Sequence, residues 1–349
     1  MIHYGSADAD RDAKGRTVVS SGDFAYELIA DFPKYPNPDW EFVDVSSGCC
    51  DQNDVIYVLM RGLGNDILKL DSEGNYLGAI HQNCITTPHF CCITPDDNLL
   101  VMNLMSHCAV EITKEGEFVR EFGTRGVPSD TGADLLRWRR ERRHGRLMPT
   151  EIEEAYSNEK WCFYETLKTI TRTGQPFNRP TSCVCNSKGE YIFGDGYGNC
   201  AIHRFRKDGT LLSTWGEPAF ATDGSYHPGP GRFAVVHGVA VDSRDRVWAN
   251  DRESDAVNVF NPDGTVAAYL SGNLGQPSDL WYDGTYMYVV GRGGYLTIFN
   301  DDFEIVAQLG YYNSDLKAHG MCGNSRGDLF LFPTHANPDH QVIKLKRLR

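Results

Sequence analysis

The sequence has no apolar run long enough to span a membrane. It has no excess of positive charge: 34 basic residues face 47 acidic ones, a net charge of −13. That balance argues against general nucleic-acid binding. It has no Cys-x-x-Cys pair, which removes a four-cysteine zinc knuckle. The opening Met1-Ile2-His3-Tyr4-Gly5 is polar and does not read as a secretory leader. Eleven cysteines are present, several as close pairs: Cys49-Cys50, Cys91-Cys92 and Cys183-x-Cys185. Neighbours on a strand point to opposite faces, so adjacent cysteines rarely bond each other. Mostly buried free thiols, a reducing compartment and a cytoplasmic location are the expectation.

What the chain does have is a recurring turn. Ser72-Glu73-Gly74, Lys114-Glu115-Gly116, Ser187-Lys188-Gly189, Lys207-Asp208-Gly209, Pro262-Asp263-Gly264 and Ser325-Arg326-Gly327 each precede a β-type run. The period shows best in the second half, where 41 residues separate His237 from Ser278 and 41 more separate Ser278 from His319. Four short strands in that length make a propeller blade. The blade opening at His237 reads as strands near His237–Val241, Arg246–Asn250, Ala256–Phe260 and Thr265–Leu270. Six units predict an all-β fold, a single six-bladed β-propeller over residues 1–349. The last unit lacks a fourth strand, and Phe24–Ala30 is predicted to supply it beside Gln341–Leu348, closing the ring. A helical insertion over residues 123–176 falls between blades two and three, with helices expected over Ala133–Arg146 and Glu151–Ile170.

At matching places in the six units stand Ser47, His89, Thr181, His237, Ser278 and His319. Inner strands of a propeller run side by side around one axis, so equivalent positions share a depth. Alternate blades would then aim His89, His237 and His319 at one point. Three imidazoles suit Zn2+, with a fourth position left for water or substrate, although iron, cobalt or manganese would also fit. The connection from strand two to strand three opens at the same end. It carries Arg61, Tyr197, Arg252 and Arg292. Cations there can hold a carboxylate against the metal. They also favour an ionised phenol, so Tyr197 can serve as a base.

These residues resemble a known family. Phe177-Asn178-Arg179-Pro180-Thr181-Ser182, Gly194-Asp195-Gly196-Tyr197-Gly198-Asn199, Thr214-Trp215-Gly216-Glu217, Pro230-Gly231-Arg232-Phe233 with Val236-His237, and Asp251-Arg252-Glu253 look like the peptidyl-α-hydroxyglycine α-amidating lyases, six-bladed propellers of the NHL-repeat type. The match is dense over 177–260 and weaker over 45–122 and 261–347. The insertion has no counterpart. The resemblance implies zinc on His89, His237 and His319, Tyr197 as base, and Arg61 and Arg252 as carboxylate or transition-state contacts. It implies cleavage of a carbinolamide N–C bond, giving an amide and glyoxylate. It also implies a channel Ca2+ held by an Asp just after the third histidine. Here Gly320 stands there, so a structural Ca2+ with those ligands is not expected. Asn178 and Gly198 replace the cysteines of the family's disulfide.

The function expected is therefore a zinc-dependent lyase or hydrolase acting on a small hydroxylated or amide-containing substrate. The alternative is a non-catalytic NHL-type propeller serving as a protein-binding scaffold. No nucleic acid or membrane partner is expected. Arg137, Arg139, Arg140, Arg142, Arg143 and Arg146 cluster in the insertion. They read either as a solvated helix in a homo-oligomer contact or as a lid drawing in an anionic substrate.

Overall fold

The computed structural model describes residues 14–29, 32–34, 44–61, 66–134, 158–333 and 342–349. Six of the seven sheets among the described residues are the blades of an all-β propeller, and the seventh is a short parallel pair, Glu217–Pro218 with Arg232–Phe233. Blade one runs from Val45–Cys50 outward to Tyr76–Ile80, and blade two from Pro88–Ile93 to Phe118–Phe122. Blades three, four and five open with Pro180–Cys185, Val236–Val241 and Pro277–Tyr282. In the sixth sheet Gly320–Gly323 is innermost, followed by Leu329–Phe332 and Ile343–Arg347. Phe24–Ile29 pairs antiparallel with that last strand, and Val18–Ser21 adds a fifth.

The alternation of side chains places two apolar faces on each central strand, and neighbouring blades pack on both. Between blades two and three, Phe90, Phe122, Phe177, Tyr191, Phe193 and Phe205 form one such cluster. Burying an aromatic of this size contributes about 2–3 kcal/mol. Outermost strands turn their first residues to solvent, as Phe118 does. Gly116 shows why the turns need glycine. Its φ is +94°, and a Cβ there would lie 2.4 Å from the carbonyl oxygen of His81.

Helix is scarce. One α-helix, α1 (Asn158–Leu167), and a short 3-10 turn at Leu104–Ser106 are present among the described residues. The helix expected over Glu151–Ile170 thus ends at Leu167, where Thr169 Oγ1 caps the Thr166 carbonyl instead. Ala133 and Asp134 are not helical. The rest of the helix expected over Ala133–Arg146, with its arginine cluster, lies outside the described residues. No helix among the described residues is long and apolar enough to cross a membrane.

Candidate metal centre

Five of the six innermost strands carry an irregularity at the same place, and Gly320–Gly323 of the sixth blade pairs without one. Pairing with strand two slips between Val45 and Ser47, Pro88 and Cys91, Pro180 and Ser182, Val236 and Val239, and Pro277 and Asp279. Such bulges re-aim side chains. The side chains re-aimed here are those at the channel mouth.

Two of them are His89 and His237; the third histidine, His319, stands just before Gly320–Gly323 and donates its backbone N–H to the Phe332 carbonyl at 2.8 Å. His89, His237 and His319 are buried, and their ligand atoms lie within 4.8 Å of one another. Their ring centroids form a nearly regular triangle of 5.0, 4.9 and 4.7 Å, with planes 74° to 89° apart. Each Nδ1 donates to a backbone carbonyl of the next blade at 2.7 Å: His89 to Thr181, His237 to Ser278, and His319 to Ser46. A carbonyl only accepts, so Nδ1 holds the proton and Nε2 carries the lone pair. Carbonyl partners of this kind fix tautomer and ring orientation in metal sites. Burial, aided by Arg61 or Arg252 or by the other histidines, pushes all three well below the usual imidazole range, so they are neutral. The Nε2 of His89 is buried with no hydrogen-bond partner. A buried polar atom without a partner costs about 1–3 kcal/mol, and a metal ion would relieve that cost. The donor set fits a divalent ion of the zinc type.

The register corrects one alignment. Ser46, not Ser47, occupies the histidine-equivalent position of blade one, since its carbonyl receives His319. The hydroxyls serve the ring rather than the axis. Thr181 Oγ1 donates to the Val236 carbonyl at 2.7 Å, and Ser278 Oγ to that of His319 at 2.8 Å.

The four loop residues differ in their engagement. Tyr197 Oη lies 2.8 Å from His237 Nε2, and because that nitrogen carries the lone pair, the phenol donates. Arg252 Nη1 donates to the same phenol oxygen at 2.8 Å. Gly196 lets the Tyr197 loop approach, because a Cβ there would meet the Val236 carbonyl oxygen at 2.0 Å. Arg61 donates through Nε to the Pro88 carbonyl at 2.9 Å, while one of its Nη atoms is buried without a partner. Its charge reaches His89 and His319. Arg292 is exposed, and its guanidinium makes no hydrogen bond among the described residues. Desolvation and the nearby Arg252 charge hold it below the usual arginine range. Asp251, of the Asp-Arg-Glu motif, is structural. It accepts the Ala234 and Val235 N–H groups at 2.9 and 2.8 Å and so anchors the entry into the strand of His237.

Sequence reasoning missed three neighbours. Phe90 stacks on His319 at 5.2 Å with 6° between planes and sets its edge to His237, flooring the site. Glu253 accepts from Arg252 Nε at 2.7 Å. Phe163 of α1 meets the Tyr197 ring at 5.8 Å. Only Glu253, inside the Asp-Arg-Glu motif, left a signal in the sequence.

Fold and site together define a six-bladed propeller with a three-histidine centre at one channel mouth. The comparisons agree with the propeller fold. No family model matches the chain. Over 156 residues, 43% of this chain, it is 30% identical to peptidyl-α-hydroxyglycine α-amidating lyase 1 of Drosophila melanogaster. The matched part spans only 27% of that relative's length. Among solved structures, a gluconolactonase from Xanthomonas campestris is similar with a TM-score of 0.58 and 11% identity, covering 98% of this chain and 96% of the other. Virginiamycin B lyase from Staphylococcus aureus is similar with a TM-score of 0.54 and 12% identity, covering 97% of this chain and 93% of the other. At these identities the structural likeness is one of fold.

Proposed function

We propose that this chain is a metal-dependent lyase of the amidating-lyase type, acting on a small, carboxylate-bearing compound with a hydroxyl on the carbon next to an amide nitrogen. The observation that carries the reading is the shared position of the Tyr197 oxygen, held between Arg252 and the lone-pair nitrogen of His237. A phenol placed there is within reach of any group bound at the three imidazoles.

His89, His237 and His319 would hold the metal, with zinc the best match to three neutral imidazoles. When bound, the metal supplies Lewis acidity toward the substrate's oxygen. With the lone pair of His237 committed to a ligand role, the Tyr197 oxygen would keep Arg252 as its hydrogen-bond partner. As the phenolate, its own proton released to solvent, Tyr197 would take the proton of the substrate hydroxyl as the C–N bond breaks and pass it to the departing amide nitrogen, while Arg252 holds the charge that develops on the oxygens. The Arg292 guanidinium offers a fork of donors to a carboxylate, and the Nη2 of Arg61, whose Nη1 faces Asp44 at 3.7 Å, offers one more. A hydrolase would use the same groups with water as the attacking species. Action in the cytoplasm on a small molecule, rather than on a secreted peptide, is part of the proposal, supported by Asn178 and Gly198 at the places of the secreted family's disulfide.

Glyoxylate release tests the reading. Zinc-loaded protein given N-acetyl-α-hydroxyglycine should form glyoxylate and acetamide. Chelator-treated protein and His237→Ala should not. Full activity in metal-free protein overturns the proposal.

A further inference from the structure

Helix α1 belongs to the insertion, the part of the chain for which the family resemblance offers no counterpart. It nevertheless reaches the site. The Tyr164 phenol donates to Glu253 Oε2. The other oxygen of Glu253 accepts from Arg252 Nε at 2.7 Å. Arg252 Nη1 donates to the Tyr197 oxygen at 2.8 Å, and Tyr197 stands 2.8 Å from His237 Nε2. Four side chains thus connect the insertion to a candidate metal ligand without a gap.

The packing follows the same line. The Arg252 guanidinium lies 5.8 Å from the Phe163 ring and 5.2 Å from the Tyr197 ring, in contact range of both. Phe163 also sets its ring at 72° to that of Tyr197. The Arg252 and Glu253 side chains are only 5% and 6% exposed. A buried ion pair holds a fixed geometry only when its remaining polar atoms are satisfied. Tyr164 satisfies the second carboxylate oxygen of Glu253. Without that bond, Glu253 has a buried oxygen with no donor and is free to turn, and Arg252 turns with it.

Resting on the functional reading above, we infer that Tyr164 is a positioning residue: through Glu253 and Arg252 it sets the place of the Tyr197 phenol at the metal centre, with Phe163 as the wall behind it. The insertion is then a working part of the site. Burial, followed by the nearby Glu253 charge, pushes the Tyr164 phenol above its usual range, which keeps its donor proton in place. Tyr226 provides a control. Its phenol donates to Ser254 Oγ at 2.7 Å on the same loop, outside the connected line.

The test uses full-length metal-free protein labelled with 13Cζ-tyrosine, with the Tyr197 resonance assigned by its loss in Tyr197→Phe. Tyr164→Phe and Glu253→Gln should each shift the Tyr197 signal by more than its linewidth, and Tyr226→Phe should leave it in place. A Tyr197 signal unmoved by Tyr164→Phe, or moved equally by Tyr226→Phe, overturns the inference. In zinc-loaded protein, Tyr164→Phe should lower kcat for N-acetyl-α-hydroxyglycine about tenfold with KM unchanged. A wild type without lyase activity overturns the functional reading instead, and the resonance then decides the positioning on its own.

Discussion

The two ends of the channel are built from the same six strands, yet burial acts on them in opposite senses. At one mouth it strips protons from His89, His237 and His319 and exposes lone pairs. Past Phe90 the channel continues as a cavity of about 290 Å³ lined by Cys91, Cys183, Cys322, Met321, Trp281 and Asp279. There burial raises the thiols of Cys91, Cys183 and Cys322, which keep their protons. Desolvation disfavours whichever form is charged. The charged form of imidazole is protonated and that of a thiol is deprotonated. One physical effect therefore prepares metal ligands at one end and withholds them at the other. Convergence alone does not make a site; the protonation state must match.

The contrast can be broken most directly at its strong end. His237→Ala should weaken zinc binding by more than about a hundredfold, beyond what loss of an outer hydrogen bond costs. Cys183→Ala should leave it unchanged. A competition titration against a chromophoric chelator reads both. Tyr197→Phe should retain the metal and lose turnover by about 10²–10⁴. Single-turnover glyoxylate release, measured beside metal content, separates the two. At the thiol end, Cys91 and Cys322 in the native protein should alkylate with iodoacetamide at least about tenfold more slowly than in urea. Peptide mapping after a timed quench reports this, and equal rates would remove the distinction between the two ends.

A smaller effect sharpens the contrast through Asp279. Burial pushes its carboxyl up to about 8, against the Met321 and Leu280 N–H bonds that favour the charge. The unfolded value is about 3.9. Between these values the folded chain keeps a proton that the unfolded chain has lost, so this contribution to stability declines as pH rises from about 4 to about 8. Asp279→Asn should gain on the wild type over that window by up to about 1.4 kcal/mol per pH unit. Denaturant unfolding at a series of pH values measures it. A constant difference between the two proteins would place the carboxyl in water.

The fold and the histidine triad were legible because both are periodic. A repeat of 41 residues with glycine turns at fixed offsets carries the blades, and the histidines ride on it. Ser46 and Ser47 show the limit of spacing. Two serines stand side by side, and only the bulge decides which one faces the histidines, a matter of pairing that no composition reveals. The hydroxyl residues were found for their side chains, while the atoms that orient the imidazoles are their carbonyls. Every residue carries such a carbonyl, so the sequence gives no sign of it. Tyr164 and Phe163 were illegible for another reason. They reach the site from a segment outside the repeat, and no period points to them.

The most direct test of the account is a crystal structure of zinc-incubated protein with data collected at the zinc absorption edge. The account predicts one anomalous peak among His89, His237 and His319, about 2.0–2.1 Å from each Nε2, with the Tyr197 oxygen no longer bonded to His237. A peak among Cys49, Cys91 and Cys183 instead, or none in the channel, would contradict it.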